Sequence, residues 1–259
     1  MLARTLLLCV FLPLCLAQSS GGFSNPSKKG GKPLTVSKST KGEPLNVIIS
    51  GKSDPYVSSQ DGFASFSRSI NFGNGSCLDI RGNNTAQANL GDGDGTKDEA
   101  GLFRWDNGCT EALNGGNHFR YWVQNGSAAD TKAIFIAASV EMPLNKDHNI
   151  VPNGYDMGRD QFVGNATQGI TVDQDTGNKF QTTIVANNTS LMKGISKNDL
   201  NHNIGTDGEV TVLQVKLTKK GSGSQDDQAS DNGQTSLVSF LPFVQMLSLA
   251  TAGVLVLCT

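Results

Sequence analysis

Two apolar segments, one near each end of the chain, limit a folded domain to the polar stretch between them. Residues 1–17 carry one arginine, an apolar run and a small-residue exit at Ala17, the pattern of a secretory signal peptide. Residues 237–259 are uncharged and follow a polar spacer and the small residues 222–224. This order is typical of a glycosylphosphatidylinositol (GPI) signal, which is removed on attachment of the anchor. We therefore expect an extracellular chain, anchored through Ser222 to a plasma membrane or held in a cell wall.

Composition separates a flexible part from a globular part between these ends. Residues 18–43 are rich in glycine, serine and lysine, so we expect a flexible arm that buries too little apolar surface to fold. Residues 44–218 form the predicted globular domain, and residues 219–236 form a linker to the apolar tail. The lysines of the arm either contact anionic cell-wall polysaccharide or lipid, or only keep the arm in solution.

The charge of the chain argues against nucleic acid as a partner. The 21 basic and 23 acidic residues become equal in number once the two processed ends are removed. Phosphate binding needs a basic excess on one face. In a secreted chain, the six Asn-x-Ser/Thr sequons predict N-glycans on the surface. These sequons begin at Asn74, Asn83, Asn125, Asn165, Asn187 and Asn188.

Two cysteines remain in the expected mature chain, because the other three lie in the segments that are removed. In an oxidising compartment Cys77 and Cys109 most simply form one disulfide. The loop-entropy model gives such a bridge about 3–4 kcal/mol of stabilisation. The alternative is a pair of buried free thiols.

Local patterns predict an α+β or mixed α/β fold, a single compact domain with a mixed sheet and a few short helices. The apolar run 45–50 predicts a buried central strand. Ser58 or Ser59 can cap a following helix that buries Phe63, Phe66 and Ile70. Residues 118–124 and 133–141 predict a hairpin. Further strands are expected at 169–173, 180–186 and 209–217, a helical turn at 109–113 and a short helix at 190–196; residues 73–101 show no regular pattern.

The first hairpin strand is the best candidate for chemistry. Period-two alternation places His118, Arg120, Trp122 and Gln124 on one face of it. An imidazole can act as a base near neutral pH, and a guanidinium can bind a carboxylate or phosphate with two hydrogen bonds. A second polar group contains His148, Asp156, Arg159 and Asp160. The two groups either meet in one pocket, with Trp122 and Asp156 contacting the ligand, or are structural. In the second case Arg159 pairs with Asp160 or Arg120 with Glu141, and His118 is a satisfied polar residue at the rim of the sheet.

The acidic stretch at Asp92, Asp94 and Asp98 partly matches a calcium-binding loop. The EF-hand pattern fails, because Lys97 takes the place of the required glycine and Phe103 that of the final glutamate. With three histidines and two mature cysteines, a zinc site has few ligands to draw on. We therefore expect no cofactor and no metal.

Four short motifs resemble a family of small secreted fungal proteins of uncharacterised function. They are Pro44–Ile49, Asn89–Gly93, Gly115–Trp122 and Gly154–Asp160. More remotely, the His-x-Arg-x-Trp strand and the later Arg-Asp pair are similar to the LssY C-terminal domain, which occurs beside phosphatidic-acid-phosphatase-like membrane domains. The resemblance covers residues 44–218. It implies one site formed by His118, Arg120, Trp122, Arg159 and Asp160, and it brings no assigned reaction.

Two hypotheses of function follow from these observations. The first is a glycosylated cell-surface protein with a structural, adhesive or ligand-binding role and no enzymatic activity. The second is a hydrolase, or a binding domain, for a phosphoester or other anionic ligand. The second requires His118, Arg120 and Arg159 to lie in one pocket.

Overall fold

The structure of the protein is a computed structural model that describes residues 22–36, 41–74, 85–106 and 109–222. The predicted signal peptide and apolar tail lie outside these residues. The strands of the described part are β1 (Thr35–Val36), β2 (Val47–Ile49), β3 (Phe72–Asn74), β4 (Gln87–Asn89), β5 (Thr96–Asp98), β6 (Gly101–Trp105), β7 (Gly116–Gly126), β8 (Ala129–Glu141), β9 (Ile170–Val172), β10 (Lys179–Asn188) and β11 (Val210–Lys219). The α-helices are α1 (Gln60–Ser69), α2 (Cys109–Asn114) and α3 (Gly154–Thr167), and short 3-10 helices span Pro26–Lys29, Leu144–Lys146, Lys197–Asp199 and Asn201–Asn203.

Eight of the strands form one mixed sheet in the order β3-β6-β7-β8-β2-β11-β10-β9. β2 and β11 pair in parallel, and the other neighbours pair antiparallel. β1, β4 and β5 form a second, three-stranded sheet. The expected α+β domain with a mixed sheet is therefore confirmed. None of the helices in the described ranges is both long and apolar enough to span a membrane.

The central strand, the helix that follows it and the hairpin also form as predicted. β2 lies between β8 and β11 in the middle of the sheet. Ser59 caps α1, because its Oγ accepts a hydrogen bond from the Gly62 N–H at 3.0 Å. Phe63, Phe66 and Ile70 are all buried. The apolar side chains at this helical spacing pack against the sheet and hold α1 on it.

A hydrophobic core lies on each face of the large sheet, because side chains alternate between its two faces. Phe119, Tyr121 and Ile136 belong to one core, which α1 and α3 cover through Phe66 and Phe162. The other core contains Trp122 and Phe135 and is covered by the N-terminal segment, by loops and by Tyr155 at the start of α3. Both faces of the hairpin are thus protected from solvent.

The N-terminal segment corrects the predicted flexible arm, which is wrong for residues 22–36. Phe23 and Leu34 are buried in the second core, and β1 pairs with β4. The ring of Phe23 meets that of Phe135 edge-on at a centroid distance of 6.0 Å. Two buried apolar side chains and the pairing of β1 with β4 therefore hold a segment whose average composition is that of a linker.

Two further expectations of local structure are wrong. Residues 73–101 contain short strands, including β4 and β5, because pairing between strands organises a segment that lacks its own periodicity. The helix expected at 190–196 is absent from the described structure there, and a 3-10 helix begins instead at Lys197. Its start is fixed by Ser196 and Asp199, which form a reciprocal capping box.

Helix α3 is not predicted from the sequence. Its buried residues include Gly158, Arg159 and Asp156 beside Tyr155 and Phe162, so no clean apolar stripe marks it. Gly158 is required for its position, because a Cβ atom there would lie 2.4 Å from the Ser139 Cα. The backbone of α3 therefore lies directly against β8.

Candidate functional site

The alternation of side chains on β7 occurs as predicted, but the polar face is closed. His118, Trp122 and Gln124 are each at most 1% exposed. The Gln124 amide donates to the Leu90 and Ser24 carbonyls, so it has a structural role. The Trp122 indole N–H is buried and lacks a hydrogen-bond partner within the described ranges. Any chemistry on this face takes place inside the protein.

Five ionisable side chains meet on this closed face, and we call them the His118 cluster. Arg104 on β6 pairs in register with His118 on β7, so both point to the same side. Glu111 comes from α2, Glu141 from the end of β8, and His148 from the loop after the 3-10 helix Leu144–Lys146. Strand pairing and one short helix therefore bring together residues that are distant in the sequence.

Arg104 holds one oxygen of each carboxylate in the His118 cluster. Its Nη1 lies 2.5 Å from Glu111 Oε2 and 3.1 Å from Glu141 Oε2. The two imidazoles flank Glu141: His118 Nε2 is 3.5 Å from Oε1, and His148 Nδ1 is 3.4 Å from Oε2. Glu111 Oε1 and His118 Nδ1 are buried and make no hydrogen bond to the described chain.

Burial shifts the protonation of this cluster towards neutral forms. Desolvation raises the pKa of Glu141 to about 7 against the opposing charge of Arg104. Burial, with the charges of Arg104 and Arg120, holds the pKa of His118 well below its usual value. The pKa of His148 is lowered and that of Glu111 raised, each chiefly by burial. With neutral imidazoles and ionised carboxylates the cluster carries one net negative charge, so it can bind a proton or a cation and would repel an anion.

Arg120 lies on the same face but makes a separate ion pair. Its Nη1 is 2.5 Å from Glu99 Oε2. Arg120 therefore forms a structural ion pair, as the alternative predicts, but its partner is Glu99 and not Glu141. The charge of Arg120 still reaches His118, whose pKa it helps to lower.

Arg159, Asp156 and Asp160 form another network, on the side of the sheet covered by α3. Arg159 Nη1 and Nη2 bind the two oxygens of Asp207 at 2.6 and 2.8 Å, and its Nε donates to Asp160 at 2.9 Å. Asp156 accepts from the Thr206 hydroxyl and the Asp207 N–H. Burial lowers the pKa of Arg159, but the hydrogen bonds that it donates to Asp207 and Asp160 outweigh this effect and raise the pKa.

The structure therefore does not place the two predicted groups in one pocket. His118 points from β7 to the face opposite Phe119, whereas α3 packs against Phe119 through Phe162 at a ring distance of 5.2 Å. His148 and His118 do come together, at Glu141. The single site expected from His118, Arg120 and Arg159 is therefore wrong: these side chains contact three different carboxylates, those of Glu141, Glu99 and Asp207.

An ammonium group occupies the place of a cation in the acidic loop. Lys97 Nζ lies 2.5 Å from the buried Asp92 Oδ2 and 3.0 Å from the Val123 carbonyl oxygen. Asp98 accepts a hydrogen bond from Gln87 instead of facing the loop centre, and Asp94 is half-exposed. A calcium ion here would have to displace a well-bound lysine.

One small cavity lies on the α1 side of the hairpin. It has a volume of about 260 Å³ and is lined by Phe63, Tyr121, Val123 and Ile134, with Ser58 and Ser59 at its rim. Sites that bury a whole organic ligand usually span roughly 300–1,000 Å³. The cavity is therefore small for such a ligand.

The remaining predicted sites lie partly outside the described residues. Cys109 is the first residue of α2, while Cys77 lies outside, so the disulfide stays a prediction. Asn125 and Asn187 are exposed, and Asn165 and Asn188 are half-buried. The side chain of Asn74 and all of Asn83 lie outside the described part. Ser222, the expected anchor site, is the last described residue and is exposed.

Three members of the His118 cluster were not recognised as functional candidates from the sequence. Arg104 and Glu111 occur singly in short segments, and Glu141 was considered only as a structural ion pair. One signal was available: Arg104 and His118 lie in two segments that could form neighbouring strands, on which paired residues point to the same face.

Comparison of the chain with protein-family models, with curated proteins and with solved structures finds no match.

Proposed function

We propose that this chain is a GPI-anchored, N-glycosylated cell-surface protein whose domain has a structural or adhesive role. The observation that carries this choice is that the candidate ligand-binding arginines are already ion-paired. The two guanidinium groups expected to capture an anionic substrate, those of Arg120 and Arg159, already bind carboxylates of the same chain. An external anion would have to displace these partners.

The arrangement at Arg159 makes this displacement costly. Its side chain is 4% exposed and bonded to both oxygens of Asp207. Asp207 itself is half-exposed, so solvent screens part of this interaction. A phosphoester would still have to replace both charge-assisted hydrogen bonds before any net binding. The cavity beside α1 is likewise small for the enclosure of an organic ligand.

The surface location is supported by features of the sequence and by exposure in the structure. Residues 1–17 and 237–259 match a signal peptide and an anchor signal. Asn125 and Asn187, in two of the sequons, are exposed where glycans would not disturb the core. Ser222 is exposed beyond the last strand, so it can accept an anchor without unfolding the sheet.

Release of the protein by a phosphatidylinositol-specific phospholipase tests the anchoring. The full chain, expressed in a eukaryotic host, should move from the membrane to the soluble fraction on treatment. A matched variant that ends at Ser236 should be secreted without treatment. Retention on membranes after verified cleavage of the anchor would contradict the proposal, as would a mature C-terminus beyond Ser236.

The absence of enzymatic activity is tested separately with phosphomonoester and phosphodiester substrates. We expect no turnover above that of a denatured sample, because His118 is buried and the arginines are occupied. Hydrolysis that disappears in a folded His118→Asn variant would support the hydrolase alternative and contradict a purely structural or adhesive role.

A further inference from the structure

We propose that Glu111, His118 and Glu141 form a binding site for a divalent metal ion of the zinc type. Each of the three offers one ligand atom, and these atoms lie within 4.8 Å of one another. His148 contacts Glu141 from the next loop. Zinc accepts imidazole nitrogens and carboxylate oxygens as ligands in proteins.

Unpartnered polar atoms provide a second, independent observation. Within the described ranges, eight buried side-chain nitrogen and oxygen atoms have no hydrogen-bond partner, and four of them belong to Glu111, His118 and His148. Such atoms are rare in native proteins and cost about 1–3 kcal/mol each. Their concentration at one point indicates a missing partner. A metal ion would supply a partner for the Glu111 oxygen and for the unprotonated nitrogen of the His118 imidazole, because both have lone pairs to donate.

Arg104 would orient the ligands without blocking them. It binds the Oε2 atoms of Glu111 and Glu141 and leaves the Oε1 atoms of both residues for a cation. Hydrogen bonds of this kind to metal-bound carboxylates are common and fix the direction of their lone pairs. When both carboxylates are ionised and Arg104 is included, the cluster holds one net negative charge, so a divalent cation does not enter a site that is already positive.

The donor set and burial decide the type of metal and its role. Imidazole nitrogens favour zinc over calcium or magnesium, which prefer oxygen ligands alone. Glu111 and His118 are almost completely buried, whereas His148 and Glu141 keep 16% and 12% of their side chains exposed. The exposed side gives the ion a path of entry. An ion held by these three side chains would tie α2 to the hairpin, and its fourth position would be open to water.

Zinc titration of the chelator-treated, secreted protein tests this inference. Calorimetry at neutral pH should show one equivalent bound per chain, together with a rise in the unfolding temperature. Glu111→Gln and His118→Gln should each weaken binding by more than about 100-fold, beyond the effect typical of residues that only support a ligand. The control His202→Asn removes the only described histidine outside the cluster and keeps a residue that accepts its positive φ of 59°; it should bind zinc as the unaltered chain does.

A spectroscopic measurement on the unaltered chain covers the case that a cluster variant does not fold. Cobalt(II) in place of zinc should give the visible absorption of a four-coordinate site, and zinc should abolish it. Failure of the folded protein to bind either ion would overturn the inference. Arg104 and a bound proton would then be the partners that balance the charge of the two carboxylates. Binding that survives in folded Glu111→Gln and His118→Gln, or that is lost in His202→Asn, would overturn it as well.

Discussion

At the scale of single residues, Asp173 shows how one buried carboxylate joins separate parts of the fold. Its oxygens accept hydrogen bonds from Arg68 Nε and Nη2 at 3.0 and 2.7 Å, and from the hydroxyls of Ser65 and Thr176. Arg68 and Ser65 belong to α1, and Thr176 lies in the turn after β9. Burial alone would raise the pKa of Asp173, but these donors outweigh it and lower the pKa.

We expect Asp173→Asn to lower the free energy of unfolding by about 3 kcal/mol, because it leaves the Arg68 guanidinium without its buried partner. Urea denaturation at neutral pH measures this. Since the pKa of Asp173 is lower in the folded protein, its contribution is complete above the unfolded pKa of about 3.9 and is lost as the pH falls through the folded value. The mutant should therefore be less sensitive to acid in that range. The control Asp175→Asn, at a side chain 74% exposed, should change stability by less than about 1 kcal/mol.

At the scale of elements, the contact of α3 with β8 depends on the lack of a side chain at Gly158. A Cβ atom there would lie 2.4 Å from Ser139 Cα and 2.5 Å from its nitrogen, so the helix would have to move. We expect Gly158→Ala to destabilise the protein by about 2–3 kcal/mol, as over-packing of a core does. Gly164→Ala, in the same helix with open space at its Cβ, should be neutral or stabilise by up to about 1 kcal/mol. Equal effects of the two substitutions in thermal unfolding would contradict this explanation.

The N-terminal segment should contribute to stability as a core element. Phe23 is buried against Phe135, and large-to-small substitutions of buried phenylalanine cost about 3–5 kcal/mol. Phe23→Ala should fall in this range, whereas Val36→Ala, at a half-exposed position of β1, should cost less than about 1 kcal/mol. Chemical denaturation of both variants distinguishes a packed segment from a flexible arm, for which neither change would matter.

Elements with a strong local pattern were predictable from the sequence, and those made by tertiary contact were not. The hairpin β7–β8 and α1 follow clear periodicities of two and of 3.6 residues. Helix α3 buries a glycine and an ion-paired arginine, so its pattern is neither apolar nor amphipathic. The His118 cluster depends on the register of β6 with β7 and on the position of α2, which no local pattern specifies. His118 and His148 were recognised because histidines are few, whereas Glu111 had no comparable signal.

At the scale of the whole molecule, the predicted Cys77–Cys109 disulfide would restrain the start of α2, and so the position of Glu111. Loss of the bridge in a double Cys→Ser variant should lower the free energy of unfolding by about 3–4 kcal/mol and reduce the secreted yield. Peptide mapping of the secreted protein without reduction tests the pairing directly. Two alkylatable thiols at these positions would show that the prediction is wrong.

The open side of β10 leads us to expect that the predicted glycan at Asn187 prevents self-association. β9 pairs only with Lys179–Gln181, so the rest of β10 is a sheet edge in the described structure. Its Ile184 and Val185 are 49% and 45% exposed, and the sequon at Asn187 follows directly. An exposed apolar edge invites pairing with a second chain. A bulky, hydrated glycan at Asn187 would obstruct such an approach.

We therefore expect a variant that lacks this glycan to self-associate while keeping its stability. Asn187→Gln with Asn188→Asp removes both overlapping sequons and keeps an oxygen at position 188, where the Asn188 Oδ1 accepts from Ser190 and Leu191. Sedimentation velocity at increasing concentration should show dimers and larger species for this variant only. Asn165→Gln, which removes the sequon on α3, should stay monomeric. If the edge variant is monomeric under the same conditions, or if both variants associate equally, the glycan does not protect β10.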